Sequence, residues 1–102
     1  MPTEKLLRHM VLFRFNEGTS VDQIAEAGNA FLALPDQIKA IQDVEWGRVI
    51  NEPPPYTHCL LVTVRTDADL QVYSDHPGHV AIGERYGHLV QDAVVLDYWT
   101  RE

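Results

Sequence analysis

The sequence holds a single cysteine, Cys59, in 102 residues, so an internal disulfide is excluded. Cys59 lies in the run Cys59-Leu60-Leu61-Val62, where a reduced, buried thiol is expected, and a reducing, cytoplasmic location fits that state. Positive charge is scarce as well: eight Lys and Arg stand against fifteen Asp and Glu, for a formal charge of −7. Nucleic acid and anionic membrane surfaces are polyanions, so this balance argues against both as partners. No apolar stretch approaches the ~18 residues of a membrane span, and Met1 to Phe15 interleaves Arg8, His9 and Arg14 with apolar residues and offers no small-residue cleavage site. Phosphate-cradling glycine loops, Gly-x-Ser-x-Gly, Cys-x-x-Cys and His-Glu-x-x-His are all missing. Nucleotide cofactors, serine nucleophiles and the common zinc centres therefore lack a motif. What remains is ordinary globular composition, 45% apolar and 23% charged, in a length suited to one domain over residues 1–102. A core of that size is thin, and a second copy would help it.

Periodicity predicts the elements. Leu6 to Phe15 alternates, with Leu7, His9, Val11, Phe13 and Phe15 on one side and Leu6, Arg8, Met10, Leu12 and Arg14 on the other. Ser20 and Gln23 form a capping box before Ile24, Ala27, Phe31 and Leu34 at helical spacing, so a helix is expected from about Val21 to Leu34, stopping near Pro35. A short helical turn over Gln37 to Ile41 is expected next. Val44 to Ile50 reads as a strand, Asn51 to Tyr56 with its three prolines as a loop, and Thr57 to Arg65 as a strand apolar on both faces. Asp67 or Asp69 is expected to cap a helix carrying Leu70 and Tyr73, Pro77 to start a helix running through about Val90, and Ala93 to Thr100 to form the last strand.

The resulting β-α-β-β-α-β order predicts an α+β, ferredoxin-like protomer, a four-stranded antiparallel sheet with its helices on one face. The opposite face then carries Met10, Leu12, Cys59, Leu61, Val94, Leu96 and Tyr98, too large an apolar surface to leave in water. Homodimerisation through the sheet faces is the expectation; a loop folded over that face is the alternative.

Five histidines are a large allotment beside eight basic residues. His9 and His58 each interrupt an apolar alternation; read alone, each is a core or interface histidine satisfied by a hydrogen bond, while together they can line one pocket from two strands. Tyr73, His76 and His79 cluster around a helix start. This set suits acid and base chemistry on a small organic substrate: an imidazole removes a proton, a tyrosine hydroxyl polarises a carbonyl, and Asp97 orients an imidazole. Each has a structural reading too, with Asp97 closing a strand end and His76 bonding the turn before Pro77; His88 is an exposed helix position with no role assigned. Zinc held by His9, His58, His76 and His79 is a competing reading, resting only on one His-x-x-His spacing. No metal is expected.

Arg8-His-Met-Val-Leu-Phe-Arg-Phe15, Tyr56-Thr-His58, Tyr73-x-x-His76-Pro-x-His79 and Asp97-Tyr98 together resemble the stress-responsive dimeric α/β-barrel (Dabb) family over nearly the whole chain. The resemblance implies a ferredoxin-like protomer whose sheet packs on that of a second copy. The sequence is similar to the family's polyketide cyclases, which close a linear polyketide by intramolecular aldol condensation without metal or organic cofactor. It implies His79 as general base, Tyr73 as carbonyl-polarising donor and Asp97 as the carboxylate behind the catalytic histidine. The substrate-binding set is expected to be His9, His58, His76, Phe31 and Leu60. Phe31 stands where the cyclases carry a pocket tyrosine and Gly28 where they carry a bulky aromatic, so a different alkyl-binding pocket is implied. The alternative from another class is a non-catalytic, stress-responsive dimeric protein that binds a small hydrophobic ligand.

Overall fold

The computed structural model describes residues 4–51 and 55–102. Its elements run β1 (Leu7–Phe15), α1 (Val21–Leu32), a 3-10 turn (Leu34–Asp36), β2 (Asp43–Arg48), β3 (His58–Val64), α2 (Asp67–Asp75), α3 (Pro77–Tyr86), a 3-10 turn (Gly87–Leu89) and β4 (Val90–Trp99). The strands form one antiparallel sheet in the order β2-β3-β1-β4, the ferredoxin-like arrangement expected from the sequence.

Local chemistry explains most boundaries. Ser20 accepts from the Gln23 N–H at 3.1 Å while the Gln23 side chain accepts from the Ser20 N–H at 2.9 Å, so the capping box starts α1. The helix ends two residues before Leu34, and Pro35 falls inside the following 3-10 turn. The helical turn expected over Gln37 to Ile41 is not formed. Ile38 and Ile41 are buried at helical spacing, but a tight turn delivers them there, with the Ile41 N–H donating to the Ile38 carbonyl. Thr66, rather than Asp67 or Asp69, caps α2: its extended backbone lets Oγ1 accept from the Asp69 N–H at 3.1 Å, and the two aspartates occupy the first turn, where negative charge suits the helix dipole. The loop expected between β2 and β3 includes residues 52–54, which lie outside the described residues.

A new helix starts at Pro77, as the sequence predicts. His76 adopts φ −64°, ψ 135°, the extended backbone that a following proline favours, and α3 begins after it. α3 stops at Tyr86, and β4 begins at Val90, earlier than the alternation suggested.

The core lies between sheet and helices. β1 sends Leu7, Val11 and Phe13 into it, and β3 sends Leu60, Val62 and Val64, with Val64 opposite Leu7 and Leu60 opposite Val11. Full burial of such side chains contributes about 1.5–3 kcal/mol each. The other face matches the sequence expectation. Met10 pairs with Leu61 and Leu96, and Leu12 with Cys59 and Val94, in one continuous apolar surface. Leu96 remains 53% exposed and Tyr98 40%.

Candidate active site

β1, β4 and the α2–α3 break bring four side chains together. His9 faces the helices between Leu7 and Val11 and sits opposite Asp97 in the ladder. Its Nδ1 lies 2.6 Å from Asp97 Oδ1. A carboxylate partner assigns the proton to Nδ1 and leaves Nε2 with its lone pair in the neutral ring. Tyr73 is 1% exposed, in the last turns of α2. Its ring centroid is 5.8 Å from that of His9 and 4.5 Å from that of His79, in the first turn of α3.

The break between the helices sets two imidazoles in opposite states. The Gly78 N–H donates to His76 Nδ1 at 2.9 Å, so His76 is the N-cap of α3 and its neutral ring carries the proton on Nε2. His79 Nδ1 lies 3.0 Å from the Ser74 carbonyl oxygen, which only accepts. Nδ1 therefore donates, and Nε2 of neutral His79 is the basic nitrogen. The Tyr73 hydroxyl has no hydrogen-bond partner among the described residues, although it is buried. An unsatisfied buried hydroxyl costs about 1–3 kcal/mol. Burial also pushes its pKa well above the usual phenol value, so the group keeps its proton and remains a donor.

The other residues singled out from the sequence lie elsewhere. Asp97 bonds His9, not His79. His58 faces the helices but pairs with Phe13, four residues along β1 from His9, about 13 Å at the usual strand rise. There it stacks on Trp46 at 5.5 Å, meets Phe15 edge-on and bonds Thr57 Oγ1 at 2.8 Å. Burial first, and the Arg48 charge second, hold the His58 pKa below the usual imidazole value. The two strand histidines thus stand on one face of the sheet but at separate places along it. Leu60 is a core residue beneath the helices. Phe31 lines an apolar chamber of about 80 Å³ with Phe13, Trp46, Ile82 and Tyr86. Ile82 is one turn beyond His79 on α3, while His79 and Tyr73 themselves are not among the residues that line the chamber.

Trp46, Ile82 and Tyr86 were not singled out from the sequence as pocket residues. A usable signal is Gly28: a Cβ there would come within 2.4 Å of the Trp46 indole Nε1, so a glycine inside a helix marks where a large ring lies against it. Among the described residues no group of three or more His, Cys, Asp and Glu is placed to hold a metal. No helix there is long and apolar enough to cross a membrane.

A family model for the stress responsive A/B barrel domain matches residues 7–100. The chain belongs to the Dabb family. Among curated relatives, olivetolic acid cyclase of Cannabis sativa is 28% identical over 99 residues, covering 94% of this chain and 98% of the cyclase. A dimeric protein of unknown function and ferredoxin-like fold from Bacteroides fragilis superposes with a TM-score of 0.75 at 27% identity, covering 91% of this chain and 94% of that one. The hydroxynitrile lyase of Passiflora edulis shares the fold, with a TM-score of 0.86 at 22% identity over 99% of this chain and 97% of the lyase.

Proposed function

We propose that this Dabb protein is a cofactor-independent lyase of the polyketide-cyclase kind, acting on a small β-dicarbonyl substrate by intramolecular aldol-type condensation or a related proton transfer. The observation that carries the reading is the Tyr73 hydroxyl, a buried donor without a partner among the described residues, on a ring 4.5 Å from that of His79. His79 Nε2 takes a proton from the carbon between two carbonyls. The Tyr73 O–H stabilises the enolate oxygen that results, the enolate carbon attacks a second carbonyl of the same chain, and the imidazolium returns its proton to the new alkoxide. Asp97 acts through His9, fixing the tautomer of a second imidazole beside Tyr73. Phe31 and the apolar chamber take the alkyl part of the substrate. His76 supports the site as the cap that begins α3. The likeness to olivetolic acid cyclase supports this class of reaction.

We further propose that two copies associate through their open sheet faces, in keeping with relatives described as dimeric, and that the protein works with Cys59 reduced in the cytoplasm. The apolar chamber also supports the non-catalytic reading, a dimer that stores or carries a small hydrophobic ligand. Turnover separates the two. A panel of linear poly-β-keto thioesters is incubated with the protein, and ring closure is followed by absorbance and mass. His79→Ala is expected to lower the rate by about 10²–10⁴-fold with circular dichroism unchanged. Full activity in that variant removes His79 from the mechanism.

A further inference from the structure

A second pocket, of about 350 Å³, lies between the N-terminal half of α1 and the β2–β3 end of the sheet. Ile24, Ala25 and Asn29 line it from α1, Trp46 and Arg48 from β2, and His58 from β3. The Trp46 and His58 rings stack at 5.5 Å with 24° between their planes, so one wall of the pocket is a packed aromatic pair. Phe31 backs the indole at 5.9 Å and 16°, and the close approach to Gly28 holds it against α1.

Arg48 stands beside this wall, paired with His58 across the ladder. In so acidic a chain Arg65 and Arg85 each find a glutamate, but no carboxylate among the described residues pairs with Arg48. We propose that this pocket binds a monocarboxylate with an aryl or conjugated body, which packs against the Trp46–His58 pair while its carboxylate pairs with the Arg48 guanidinium. The guanidinium fork matches a carboxylate with two parallel hydrogen bonds, and a π-rich body gains from offset or edge-to-face contact with the aromatic pair. His58 stays neutral at pH 7, so Arg48 alone supplies the charge and a monoanion balances it. Ile24 and Ala25 meet the apolar edge of the ligand. The assignment uses neither Tyr73 nor His79 and stands whether or not the chain is a lyase.

The test is a titration of the full chain with 2-naphthoate, followed through the Trp46 indole N–H and His58 ring signals in proton–nitrogen spectra, with Trp99 on β4 as internal control. Saturable shifts at Trp46 and His58 with Trp99 unmoved are expected. Arg48 is exposed, so Arg48→Gln leaves the fold intact and is expected to weaken binding at least about tenfold, as one lost charge-assisted contact does. The neutral 2-naphthamide should bind no better to the native chain than naphthoate binds to Arg48→Gln. Equal binding of acid and amide, unchanged affinity in Arg48→Gln, or no shift at millimolar naphthoate overturns the proposal. His79→Ala should bind naphthoate undiminished; loss of binding there would place the ligand at the Tyr73 site and overturn it as well.

Discussion

Replacing Gly28 with alanine tests the packing that links α1 to the sheet. On an exposed helix the change stabilises by about 1 kcal/mol, because glycine is the poorer helix former. Here the new Cβ would lie 2.4 Å from Trp46 Nε1 and 2.6 Å from both Cδ1 and Cε2. Carbon contacts settle near 3.5–4.0 Å, so the indole must retreat by about 1 Å. It cannot do so freely, because Phe13, Phe31 and His58 hold it at centroid distances of 5.5, 5.9 and 5.5 Å. Overpacking costs about 1–3 kcal/mol, and each weakened aromatic pair up to about 0.5–1.5 kcal/mol more. The net expectation is a loss of about 1–4 kcal/mol, and each kcal/mol lowers Tm by about 4–8 °C in a domain of this size. Calorimetry at fixed protein concentration measures it. The control is Trp46→Val, which removes the ring while keeping a strand former; in that background Gly28→Ala should stabilise by up to about 1 kcal/mol. A native-background variant that melts higher, or the same loss in both backgrounds, refutes the reasoning.

Two further perturbations probe other parts of the molecule. Leu96→Asp places a charge on the open sheet face, once per copy across a two-fold interface; losing about 1.5–3 kcal/mol of burial twice should weaken a dimer by roughly 10²–10⁴-fold in sedimentation, and an unchanged dimer constant would show that this face is not the interface. His58, whose folded pKa lies below its unfolded value, binds fewer protons when folded, so it costs stability as pH falls through the unfolded value near 6.5. Urea midpoints at pH 7 and pH 5 should fall less in His58→Gln than in the native chain, and an identical fall would dismiss this imidazole as a source of the acid sensitivity.

What the sequence made legible follows from which interactions are local. The Ser20–Gln23 box and the alternation of β1 and β3 depend on neighbours within a few residues, and both are present in the structure. The open apolar face was readable for the same reason, since alternation assigns a face without needing register. Distance along a strand does need register, and alternation cannot supply it: His9 and His58 share a face yet lie four ladder positions apart. The partner of Asp97 is likewise a matter of which residue it meets across the ladder, and that residue is His9. Around Thr66, Asp67 and Asp69, three capping residues compete within one turn, and only backbone geometry selects the threonine. Ile38 and Ile41 imitate helical spacing because a tight turn and a helix both return side chains to one side after three residues.

Tyr73 joins stability to function in a way that a single substitution exposes. Its ring fills the core under the helices, and its hydroxyl is buried with no partner among the described residues. A group held at such a cost is explained if it meets a substrate oxygen, because sites preorganised for a transition state carry strain that the resting fold would relax. Tyr73→Phe keeps the ring and removes only the oxygen. The fold should therefore gain up to about 1–3 kcal/mol, visible as a rise of several degrees in Tm at matched concentration. Ring closure of the poly-β-keto thioesters should fall by about 10²–10³-fold, the loss typical of one oxyanion donor. The two readouts must move in opposite directions. A variant that is both less stable and less active would mean that the hydroxyl is bonded in the folded protein, and the donor role assigned to Tyr73 would then lose the observation on which it rests.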